Sequence, residues 1–348
     1  MWWGELHMDL RVDSAELDGL KFQCIEGCAY CCLCPPEVTG RELLHFRAAH
    51  PATIEDADGS PHLALQGGAG GCALLRDRRC TDYGNRPFHC RAFPLRVHLL
   101  DRVQACANLS CRGIQREKGA PLSELLDSIL KDEAAAGLRG AAADAGREWG
   151  QFVDKAFRRG VPVELQGTRL MLSEMIPRWP ADLDVARDEV IELVSETFGL
   201  AEPAQLPVYV PPSFEWQVFQ ADRGELRRYG LRESGELSPS GSWPLRAIPL
   251  LELTTEGRAE FSGYMQMLNR RDPMAGSAAL VVRAMRFEEE FEEAYLDVLR
   301  DCALDLWWRS SLLAFINNTS VLGASELREG MVFCDADFLD MAGIGGML

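Results

Sequence analysis

Ten of the chain's twelve cysteines lie between positions 24 and 111. Five fall within the eleven residues CIEGCAYCCLC, namely Cys24, Cys28, Cys31, Cys32 and Cys34. Cys72, Cys80, Cys90, Cys106 and Cys111 follow. Thiolates are soft ligands that select zinc, iron or iron–sulfur clusters. Closely spaced cysteines lower the entropy of gathering ligands, and remote ones close a site and tie loops together. One zinc ion or one cubane takes four thiolates, so this supply exceeds one site and suffices for two. Neighbours such as Cys31 and Cys32 tend to point apart, which assigns them to different sites or leaves one to pack. In a reducing compartment such density reads as metal ligation before disulfides. Cys302 and Cys334 stand alone and read as small buried apolar residues.

The first eight residues of the stretch fit the C-x3-C-x-aromatic-C spacing by which radical-SAM enzymes hold a [4Fe–4S] cluster. Cys24, Cys28 and Cys31 match, with Tyr30 as the aromatic. In those enzymes the motif follows the first strand of a partial (β/α) barrel. Here the preceding strand is at most a few residues, Pro35-Pro36 stops anything after Cys34, and the glycines at 67–71 lack a following acid. No alternating strand–helix series follows.

A second resemblance takes in more residues. FQCIEGCAYCC followed by GCALLRDRRCTDYGNRPFHCRAFP resembles the YkgJ-type cysteine-cluster family, the zinc- or iron-chelating CxxCxxCC domain. The carrying elements are Cys31-Cys32, Cys72, Cys80 with Tyr83, and the run RPFHCRAFP from Arg86 through Cys90 to Pro94. Cys111, in CRGI, resembles a Cys-Pro-Gly-Ile element of some members. The resemblance covers residues 22–112, with a first spacing of three residues where the family's name has two. It implies metal binding. Flagellin lysine N-methylases share this type of cysteine region, which adds protein methylation as an activity implied by resemblance alone.

The expectation is therefore a metal-binding protein carrying one or more iron–sulfur clusters, [4Fe–4S] in type, or zinc. Its ligands are Cys24, Cys28, Cys31, Cys32, Cys72, Cys80, Cys90 and Cys111, with Cys34 and Cys106 in reserve. Two alternatives stand beside it: an iron–sulfur-dependent enzyme, methyltransferase-like or radical-SAM-like, and an interaction protein stapled by zinc. Arg76, Arg78, Arg79, Arg86, Arg91 and Arg96 form a basic stretch that could offset thiolate charge, bind an anionic substrate, or pair with acidic residues elsewhere. His89 is a substitute ligand. His45 and His98 read as ordinary surface or strand residues. Tyr83, Pro87, Phe93 and Pro94 shape and shield the site. Asp335, Asp337 and Asp340 read as a solvated tail, and Trp307-Trp308 as core.

The positioning elements read as α+β: a small cysteine-rich metal-binding domain over 1–120, then a mainly helical body over 121–348 with a short hairpin or sheet. Thr39 to Glu42 has the form of a capping box opening a helix that ends near His50-Pro51. Residues 55–71 read as an exposed, glycine-rich loop. A short strand, a turn at Arg76-Asp77 and a strand over 95–100 follow. Helices are expected from Pro121 to about 158 and over 183–199, with strands in 213–254. Further helices run over 255–272 and, as one long element, 278–316, with EEEFEEAY as a solvated face. The tail MVFCDADFLDMAGIGGML reads as a short strand and an apolar end.

A hydrophobic share of 47% and a charged share of 26% are those of a folded protein. No run of about 18 apolar residues predicts a membrane span. The start, MWWGELHMDLRVD, has neither a basic n-region nor an apolar h-region, so the expected location is the cytoplasm. Residues 1–120 hold 14 Lys+Arg against 15 Asp+Glu, and the remainder 22 against 38. That acidity excludes a nucleic-acid footprint and leaves an unidentified protein or small molecule as partner, with no membrane.

Overall fold

A computed structural model describes residues 11–34, 36–57, 59–132, 137–183, 187–199 and 205–347. The expectations for the first ten residues, for Pro35, and for residues 133–136 and 184–186 within the helical regions expected over 121–158 and 183–199 lie outside them.

The fold is α+β, as its sequence patterns predict. Short strands build the cysteine-rich part. Leu95–Leu99 and Val103–Ala107 form a hairpin that is almost wholly buried. Val12–Asp13 adds to one edge, parallel, and Gly346–Met347 to the other, antiparallel, so residues from both ends of the described chain share one sheet. A second sheet pairs Lys21–Phe22 with Ile114–Gln115 and Ala120–Pro121, bringing the start of the cysteine stretch beside the segment that follows Cys111. The expected loop over 55–71 is instead a hairpin, Ile54–Ala57 against Ser60–Leu63, and then a glycine turn. Gly67 and Gly68 in that turn are exposed, as expected, whereas Gly70 and Gly71 just after it are buried. A Cβ on Gly70 would meet the carbonyl of Glu233 at 2.2 Å, so only glycine lets the two backbones approach.

The second part is mainly helical. The 26-residue helix Phe291–Ile316 is buried along most of its circumference and packs on Asp272–Ala284 and Ala324–Leu339. It does not continue from 278. Arg286 and Phe287 take left-handed φ of 57° and 64°, and the chain breaks there before Phe291, itself fully buried within the acidic run. The expected tail strand is a helix, Ala324–Leu339, because Leu327, Met331, Phe333, Cys334 and Phe338 bury at helical spacing. Asp335 on that helix is 0% exposed, not solvated. It accepts hydrogen bonds from Arg271 at 2.7 Å, Tyr264 at 2.6 Å and the Leu109 amide at 2.6 Å. Arg271 also pairs with Glu16 at 2.7 Å, so one buried guanidinium joins the two parts of the chain.

Between them stands the four-stranded antiparallel meander Val208–Tyr209, Trp216–Asp222, Glu225–Leu231 and Leu237–Pro244. Alternation in Trp216–Asp222 predicts one apolar face, yet both faces are covered. Trp216 and Val218 pack with Cys28, Leu75 and the flanks of the cysteine stretch. Phe219 and Ala221 point the other way, into a cluster with Phe198, Trp308 and Phe333. Thus the sheet is a middle layer that supports the cysteine region from the helical body.

Candidate metal centre

The cysteine stretch is shaped by its backbone. Gly27 and Ala29 take φ of 81° and 49°, reversing the chain twice before a single 3-10 turn, Tyr30–Cys32. Ala29 in the left-handed region costs free energy that the surrounding contacts must offset. The Cys72 amide donates to the Cys32 carbonyl at 2.7 Å, locking the second arm onto the first. Leu75–Arg76 and Arg79–Cys80 then form a hairpin whose turn is Asp77-Arg78, one residue beyond the expected position, with φ of 50° and 60°. This strained turn is held by the Arg78 amide, which donates to Glu233 at 2.6 Å, and by the Arg78 guanidinium, 3.6 Å above the Trp216 ring. Cys90 rides on the short helix Phe88–Ala92, which follows Pro87. Cys111 sits in a turn where its amide donates to the Asn108 carbonyl at 3.0 Å.

These arms enclose a cavity of about 470 Å³, and Cys24, Cys28, Cys31, Cys32, Cys72, Cys80, Cys90 and Cys111 all line it. Cys31 and Cys32 do not point apart. Their thiols are neighbours on the tight turn, and that interaction lowers the pKa of Cys31 and raises that of Cys32. Cys34 is exposed and lines a smaller neighbouring cavity with Cys31, Cys90, His62, His89 and Arg96. Cys106 is fully buried on the strand Val103–Ala107 and lines neither. Cys302 and Cys334 are core residues, and all twelve cysteines are unpaired.

Burial pushes up the thiols of Cys24, Cys28, Cys72, Cys80, Cys90 and Cys111. A metal cation reverses that balance by replacing the proton. Arginines already act in that direction: the positive charge of Arg86 lowers the thiols of Cys24, Cys31, Cys80 and Cys90, that of Arg112 lowers Cys28, and that of Arg76 lowers Cys72. The Arg86 guanidinium lies 3.7 Å from the Tyr83 ring and its Nε donates to the Tyr83 carbonyl at 3.2 Å. Arg78, Arg79 and Arg91 also line the cavity, but each has a carboxylate partner: Glu233, Glu26 and, for Arg91, Glu42 and Asp132. Arg96 is 3.5 Å from Asp340. The basic stretch thus divides between ion pairing and the field over the thiols. His89 is turned to the smaller cavity, and burial lowers its pKa.

Pro87, Phe93 and Tyr83 line the cavity as the sequence predicts, and the Tyr30 and Phe93 rings lie 6.0 Å apart beside it. Sequence reasoning missed Trp216, whose Nε1 donates to the Cys28 carbonyl at 3.0 Å across 188 residues. Its signal is the alternation of Trp216 and Val218 with polar residues, which predicts a hairpin or sheet but not its partner. The donor set suits a thiolate-bound metal: eight soft sulfurs around one cavity with arginines at its wall.

Residues 23–111 match a family model whose description is "CxxCxxCC: Putative zinc- or iron-chelating domain". No curated protein and no solved structure matches the chain.

Proposed function

We propose that the chain carries iron–sulfur chemistry on Cys24, Cys28, Cys31, Cys32, Cys72, Cys80, Cys90 and Cys111, a reading supported by the match of residues 23–111 to the family model for a zinc- or iron-chelating domain. The observation that carries this reading is the spread of the thiols around a single cavity. Tetrahedral zinc with Zn–S near 2.3 Å needs sulfurs about 3.8 Å apart. Among the described residues, no three cysteines bring their sulfurs within 4.8 Å of one another. A polynuclear cluster tolerates wider spacing, because its ligands bind different irons. Such a cluster supplies an electron-transfer centre or a Lewis-acidic iron. The protein residues hold it through thiolates, and Arg86 offsets part of their charge.

A cluster that is structural or regulatory is favoured over a radical-SAM enzyme. Cys24, Cys28 and Cys31 follow a strand of only two residues, Lys21–Phe22, and the next long element is the helix Gly40–Ala49. The described sheets contain one parallel pair, Val12–Asp13 with Val103-Gln104, and no parallel strand–helix series. Among the described residues no helix is long and apolar enough to cross a membrane.

Iron, zinc and acid-labile sulfide analysis of anaerobically purified protein, with visible absorption and EPR, tests the proposal. A brown protein with about four irons per cluster is expected. Colourless protein holding only zinc would replace the cluster with a zinc staple, and protein holding no metal would end the proposal.

A further inference from the structure

His45, His50 and Asp82 place their ligand atoms together outside the cysteine cavity. The Nε2 atoms of His45 and His50 lie 3.0 and 3.1 Å from the same oxygen, Oδ2 of Asp82. All three ligand atoms fall within 4.8 Å of one another, the one such group among the described residues. Metal–nitrogen and metal–oxygen bonds of about 2.0–2.1 Å put tetrahedral ligand atoms roughly 3.3 Å apart. The two nitrogen–oxygen spacings are within a few tenths of an ångström of that requirement, and the two nitrogens lie within 4.8 Å of each other. We propose that these residues form a second metal site, outside the cysteine cavity, for a divalent cation of the zinc or ferrous-iron class.

Two separate elements build it. His45 is on the helix Gly40–Ala49, and His50 is its C-cap, with φ of −139° and ψ of 54°. Leaving the helix at that residue lets the second ring return to the first one's side. Phe46 lies between them, fully buried with Cys72 and Leu74, and fixes the helix end to the cysteine domain. Asp82 precedes the turn Tyr83–Asn85 but gives that turn no side-chain cap bond, which leaves its carboxylate for the imidazoles. Its other oxygen accepts from Asn85 Nδ2 at 2.8 Å, the kind of supporting bond that orients a ligating carboxylate. The side chains of His45, His50 and Asp82 are 39%, 31% and 14% exposed, so the coordination positions left free would face solvent. Two imidazoles and one carboxylate with open positions make a set suited to zinc or ferrous iron, and unlike the thiolate set it takes harder, exchangeable cations.

The test uses the full chain with its cysteine centre loaded, titrated with zinc chloride and followed by calorimetry and zinc-edge X-ray absorption. One additional zinc is expected, with nitrogen and oxygen neighbours at about 2.0–2.1 Å. The double variant His45→Gln/His50→Gln should lose that equivalent, its affinity falling at least ~100-fold. Its cysteine-bound metal content should be unchanged, which also shows that it folds. Sulfur neighbours at about 2.3 Å would assign the added zinc to the cysteines and overturn the proposal. So would equal zinc uptake by the variant, or no additional zinc in the wild type. The outcome is read separately from the identity of the metal on the cysteines.

Discussion

Among the cavity's cations, Arg86 has its guanidinium against an aromatic ring and its positive charge set toward four thiols. Arg86→Gln removes that charge while keeping a side chain of similar reach. Metal affinity, measured by chelator competition, should fall roughly 10-fold, as for supporting residues around other metal sites. Unchanged affinity would show that Arg86 only packs. The cysteines themselves divide by position. Cys72→Ser should strip metal, because its thiol lines the cavity and its backbone is bonded to Cys32. Cys34→Ser and Cys106→Ser should retain it, since neither lines that cavity. Iron and zinc content of the three variants checks this. The cysteine set was legible from sequence because thiolate chemistry is written in residue identity and spacing. Asp335 was not legible: its environment is set by Arg271, 64 residues away, and by Tyr264. His45 likewise looked ordinary until the fold brought Asp82 beside it, 37 residues on.

At the scale of elements, alternation and helical spacing placed most strands and helices, but turns and breaks moved. The glycines at 67–71 suggested a loose loop. In the fold they pass within backbone contact of Glu233 to Gly235, which no local pattern encodes. Gly70→Ala should therefore force the two backbones apart and destabilise the fold by about 1–3 kcal/mol, read by urea denaturation. The strand Leu95–Leu99 carries a different consequence. His98 on it is 5% exposed, and burial, then the charges of Arg271 and Arg96, push its pKa down to about 3. A histidine depressed in the native state keeps its full contribution above its unfolded pKa of about 6.5. That contribution is lost as pH falls from there toward the folded value, by about 2 kcal/mol at roughly pH 5. His98→Gln should reduce this acid sensitivity in parallel denaturation curves at the two pH values. Identical pH dependence in both proteins would count against a buried neutral imidazole.

For the molecule as a whole, composition suggested a boundary near residue 120 because the cysteines end there and the acidity begins. Contacts between the two parts cross that position. The cysteine arms are braced by Trp216 and Glu233 from the meander, and Glu16 is held by Arg271 of the helical body. One edge of the N-terminal sheet is completed by Gly346–Met347. A fragment of residues 1–120 would expose the cysteine-stretch surface that Trp216 and Val218 cover and leave Glu16 without its buried partner. Removing one member of such a buried pair costs about 3–5 kcal/mol, and losing a buried tryptophan a similar amount. These losses are comparable to the whole stability of a typical domain. The fragment should consequently bind metal far more weakly than the full chain under the same anaerobic reconstitution. Trp216→Ala in the full chain should move in the same direction, with a lower melting temperature and a smaller fraction of metal retained after chelator challenge. A fragment that takes up and holds metal as the full chain does would show that the cysteine arms organise themselves, and that the middle sheet contributes nothing to the centre.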